Sequence, residues 1–170
     1  PHQPPAGKLE YQVRLHKGDA TVFFPERPAI TRFKGAVSPA ILAPHVVTMF
    51  TGMLVANAAG LLALRREKRL FRVCLVAALL LSVGGLFLGP LVQKQAFGAY
   101  WTGWPFGTDL TDNKTAVAVL AWAVAAFRAR GGRDARKAVI VAAVVTLAVF
   151  MVPHSAWGSQ VDWSKLPAAQ

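Results

Sequence analysis

The side chains best suited to chemistry lie where apolar runs meet polar loops. His45, Met49 and Met53 recur every four residues and so share one face of a helix. Met151 and His154, three apart, close the last apolar run. These are the chain's three methionines and both histidines of its apolar part. Imidazole and thioether are axial ligands of haem iron and also bind copper. The set therefore offers two outcomes: haem b or copper held by His45, Met49 and His154, or a hydrogen-bonded polar network in which methionine fills gaps. A haem here would be non-covalent, because no Cys-x-x-Cys-His is present. The spans derived below put His45 and His154 at matching depth, facing each other. Each imidazole then needs a partner to offset its burial, and Asp109 or Asp112 is available.

A second polar group, Asp109, Asp112, Asn113 and Lys114, opens an apolar run. Thr111 or Asp112 can cap the helix that starts there, with carboxylates well placed at its N-terminus. Alternatively Asp112 and Lys114 enter the bundle as a buried pair. Asn57, in the middle of the first run, suits an interhelical hydrogen bond. The chain has no P-loop, Rossmann glycine pattern, Gly-x-Ser-x-Gly elbow or His-Glu-x-x-His, and Asp109 and Asp112 lack a complementary acid or base. This argues against an enzyme.

The positioning elements are apolar runs. The chain has 170 residues, 54% of them hydrophobic, yet carries a formal net charge of +11. Apolar spans joined by basic loops reconcile the two. The runs give four transmembrane helices near 39–64, 73–92, 112–128 and 137–154. Pro39 and Pro44 stand in the opening turns of the first, and Pro90 ends or kinks the second. Gly52, Ala56 and Gly60 form a small-residue stripe on the first helix, and Gly85 with Gly89 repeats the spacing on the second, so these two helices should pack together. Between the second and third runs lies an aromatic, glycine-rich loop at the membrane surface. The single cysteine, Cys74, excludes an intrachain disulfide and reads as a small buried hydrophobe.

Ten of the nineteen lysines and arginines form two clusters, residues 65–72 and 128–137, both between runs. By the positive-inside rule these ends are cytoplasmic, which leaves both termini and the aromatic loop on the extracytoplasmic side. Trp101, Trp104, Trp157 and Trp163 fit an interfacial belt there. Basic residues so placed do not form a nucleic-acid face. Before the first run, Leu9, Tyr11, Val13 and Leu15 alternate with polar residues, a half-buried strand. A turn at His16–Asp19 leads to a second strand over 20–24 and a third over 29–34. The chain opens on Pro1 with no initiator Met, so residues are expected to precede it or to have been removed, as a signal peptide would be.

The expected fold is an all-α membrane protein of four transmembrane helices with a small extracytoplasmic N-terminal β structure. Its parts are a tail and sheet over 1–36, a membrane domain over 37–157 and a tail over 158–170. The expected function is that of a non-catalytic subunit of a bacterial inner-membrane redox or energy-converting complex, in contact with lipid and other subunits. The alternatives are a haem- or copper-binding electron-transfer protein, and a small transporter or channel using Asn57, Asp112 and Lys114.

Overall fold

The computed structural model describes residues 7–18, 20–68 and 70–152. The expectations for His154, Trp157, Trp163 and the tail over 158–170 fall outside the described residues. The protein is mostly helical, with a two-stranded antiparallel sheet at its N-terminal end.

Strands β1 (Lys8–Lys17) and β2 (Ala20–Arg32) form a hairpin. Gly18 adopts φ +60° in the turn, a conformation open to glycine at little cost. Three strands were expected, and two are found. Pro25 and Pro28 cannot donate to the ladder, so β2 bulges opposite Gln12. It then resumes, because the Gln12 amide donates to Pro25 O at 3.0 Å and Glu26 O at 3.1 Å, and β1 is long enough to pair with both halves. The register puts Leu9, Tyr11, Val13 and Leu15 opposite Thr31, Ala29, Phe24 and Val22 on one face. Arg14 and His16 lie on the other, with the Arg14 guanidinium 5.1 Å above the Phe23 ring. The large apolar residues of the first face remain 47–67% exposed.

The linker after β2 is pinned to the helices by Gly35 N donating to Ala96 O and Ser38 N to Gln95 Oε1. Helix α1 (Pro39–Leu64) begins with Pro39 in its first turn, where a missing N–H costs nothing. The next rod comprises α2 (Phe71–Leu81), a π-helical stretch over Ser82–Leu88 and α3 (Gly89–Phe97). Pro90 was expected to end or kink this helix. It does not end there: the rod runs on to Phe97, and Pro90 falls in the first turn of α3, just where the ladder changes from π to α. Helices α4 (Leu110–Ala129) and α5 (Arg136–Met151) complete the set. Among the described residues two rods, Pro39–Leu64 and Phe71–Phe97, are long and apolar enough to cross a membrane.

α1 and α4 each pack against both α2 and α5, so the rods close into a ring in the order α1, α2, α4, α5. The ring interior is built of small side chains, Ala56, Ala59, Ala77, Ala118, Ala125 and Ala142 among them, around Trp122, Leu81 and Val139. Phe50, Leu54, Phe87, Leu120 and Phe127 point outward. Small inside and large outside is the pattern of helices that associate in lipid, where close backbone approach rather than expulsion of water drives packing. Trp122 Nε1 donates to Thr146 Oγ1 at 2.7 Å, and that hydroxyl donates to Ala142 O at 2.8 Å, which satisfies this polar pair inside the core.

Candidate functional site

One end of the ring gathers the start of α1, the π stretch, α3, the loop over 98–109 and the start of α4. The opposite end gathers the basic residues around Arg65, Arg72, Arg128 and Arg136.

His45 is half-buried on α1, and its Nδ1 lies 2.9 Å from Gly84 O. A carbonyl can only accept, so Nδ1 carries the proton and Nε2 is left as the open nitrogen. Gly84 O is available because the π turn widens the helix: it takes the N–H of Gly89, five residues on, and has a second lone pair for the imidazole. Glycine is needed at 84 for this approach. A Cβ added there would lie 2.7 Å from Thr48 Oγ1 and 2.8 Å from Met49 Sδ. Thr48 itself donates to Pro44 O and so closes the turn around the Pro44 ring.

Beside this clip, between α1 and the end of α5, lies a cavity of about 430 Å³ lined by His45, Val46, Met49, Phe50, Met53 and Phe150. The structure therefore brings His45, Met49 and Met53 to one cavity wall, while His154 is outside the described residues. Met49 Sδ also faces the backbone of Gly84 and Gly85. No group of three or more His, Cys, Asp or Glu that could hold a metal occurs among the described residues.

The carboxylate expected beside His45 is engaged elsewhere. Asp112, buried, accepts through Oδ2 from Thr102 N at 2.6 Å, Gly103 N at 3.0 Å, Gln93 Nε2 at 3.2 Å and Thr102 Oγ1 at 3.3 Å. Asn113 Oδ1 accepts from Trp104 N at 2.7 Å. Asp109, rather than Thr111 or Asp112, caps α4, accepting from Thr111 N at 2.7 Å and Asp112 N at 3.3 Å. Lys114 is buried as well, but its Nζ donates to Val152 O at the end of α5. Capping and burial thus coexist on different residues. The network folds the loop into a platform that presents Trp104, 78% exposed, and Phe106, 84% exposed. With four donors on Asp112, two of them backbone N–H groups, the carboxylate ties the loop and α3 to the start of α4.

Of the small residues singled out in the sequence, Gly52 faces Leu80 and Leu81 of the second rod, Gly60 faces Ala143 of α5, and Gly85 faces Thr115 of α4. Ala56 is fully buried in the core, and a Cβ at Gly89 would be 3.8 Å from the His45 ring. Asn57 is half-buried, three turns or about 18 Å along α1 from His45. Gly84, Gln93, Thr102, Phe50 and Phe150 are site residues that sequence reasoning missed. Only the Gly84-Gly85 pair left a signal, since a π turn has no residue signature. No family model, curated protein or solved structure matches the chain.

Proposed function

We propose that the protein is an integral-membrane, non-catalytic subunit of a bacterial inner-membrane redox or energy-converting complex. All four rods then span the bilayer, and the basic end of the ring faces the cytoplasm. The hairpin, the Trp104 platform and both chain ends lie on the extracytoplasmic side. The observation that carries this reading is the bare apolar face of the hairpin, Leu9, Tyr11, Val13, Leu15, Val22 and Phe24. A two-stranded hairpin is marginal alone, and a contiguous apolar patch of this kind marks a surface made to be covered. Protein is the fitting cover, because the opposite face, which carries Phe23 and Ile30 but also Glu10, Arg14, His16 and Thr21, can stay wet while the more apolar face accepts a partner's sheet or loop. The basic residues gather at the ring's end, where anionic lipid headgroups would attract them.

A haem or copper in this subunit would need His154 as a second ligand to His45. A transport path would need Asn57 joined to Asp112 and Lys114, whose polar atoms are committed to the loop and to Val152 O. Gentle detergent extraction followed by size analysis and mass spectrometry tests the subunit reading. Co-purifying proteins are expected, and Val22→Lys should release them without lowering the thermal stability of the helical ring. A monomer that carries no other protein would reject it.

A further inference from the structure

We propose that the cavity between α1 and α5 binds a lipid-soluble quinol, an aromatic head bearing a hydroxyl donor on an apolar tail, with its hydroxyl on His45 Nε2. This goes beyond the subunit reading and shares with it only the membrane placement of the helices. Three observations converge. The first is the polar atom. With Nδ1–H held by Gly84 O, the neutral imidazole offers Nε2 as an acceptor alone, so its ligand must bring the proton. Every buried side-chain nitrogen and oxygen among the described residues has a partner, and no partner of Nε2 occurs among them. The atom is therefore open to an incoming molecule and not sealed in the core.

The second observation is the shape and lining. About 430 Å³ falls within the 300–1,000 Å³ of sites that take drug-sized ligands, lined mainly by apolar and aromatic groups with few polar ones. Phe50 and Phe150 come from different helices and offer ring faces or edges to a planar head, and Met49 and Met53 adapt to its outline. The third is the entrance. Val46 and Phe50 are exposed on the outer surface of the ring, so a ligand enters from the hydrocarbon phase and not through water. A metal fits less well. The described wall supplies one nitrogen, Met49 sulfur packs on the Gly84–Gly85 backbone, and Met53 stands about 12 Å from His45 along the helix axis.

The test uses the full chain in phosphatidylcholine nanodiscs, with a decyl-substituted benzoquinol and its dimethyl ether as probes, bound ligand being measured by equilibrium titration. The quinol should bind about tenfold more tightly than the ether, which keeps the ring and tail but cannot donate. His45→Phe should lower quinol affinity about tenfold and erase the difference between the probes. Val46→Trp, which fills the cavity from its rim and leaves the His45–Gly84 bond alone, should abolish binding of both. Equal affinity for quinol and ether in the unmodified chain would overturn the proposal. So would binding that survives Val46→Trp, no measurable binding at all, or a Soret band or stoichiometric copper lost in His45→Phe. A monomer that binds quinol with these preferences would remove the subunit reading and leave this one standing.

Discussion

At Asp112 one carboxylate oxygen holds the loop through two backbone N–H groups, a hydroxyl and an amide. An amide side chain at this position keeps the shape but loses the charge that strengthens each bond. Asp112→Asn should therefore destabilise the platform by about 2 kcal/mol and raise the rate of chymotryptic cleavage between Tyr100 and Phe106 roughly thirtyfold, with the ring intact. Gly84→Ala sets a methyl against Thr48 and Met49 and should cost about 1–3 kcal/mol in thermal unfolding in detergent, as overpacking does. Thr146→Val strands the Trp122 N–H in the core, for a loss of about 1–3 kcal/mol in the same assay. That His45, Met49 and Met53 share one face was legible from their spacing. The partner of His45 was not, because the acceptor is the second lone pair of a main-chain carbonyl in a π turn, and main-chain groups carry no mark in the residue string.

Among the elements, the helices were the readable part and the joints were not. Pro39 announced the start of α1, and the small-residue stripe announced a close-packed face, since both act within one helix. Pro90 looked like an end or a kink of the second helix, yet the rod passes it by widening into a π stretch and resuming as α3. The hairpin failed in a related way. Pro25 and Pro28 look like strand breaks when only β2 is considered, but the Gln12 amide on β1 donates to the carbonyls of Pro25 and Glu26 and ties the bulge to its partner strand. Gln12→Ala should therefore loosen the bulge and speed amide exchange at Thr31 and Ala29, while exchange in the Ala20–Phe24 half stays slow. Equal acceleration in both halves would show that the bulge is held by something other than that side chain.

For the whole molecule, the ring order and the position of the basic end make one topological prediction. A reporter fused after Arg133 should be active only in its cytoplasmic form, and export of that fusion would invert the proposed orientation. The ring also has a seam. Arg136 Nε donates to Ala63 O at 3.1 Å, and Gly60 meets Ala143 beside it, so the first helix is sealed by the last across a separation of 73 residues. At a synthesis rate of 5–20 residues per second, about 4–15 s pass between the emergence of Ala63 and that of Arg136. In the proposed membrane placement, the half of α1 that later receives α5 has only lipid or the insertion machinery against it throughout that interval. The seam thus cannot close before α5 emerges, and a chain stalled before that point leaves this side of α1 uncovered.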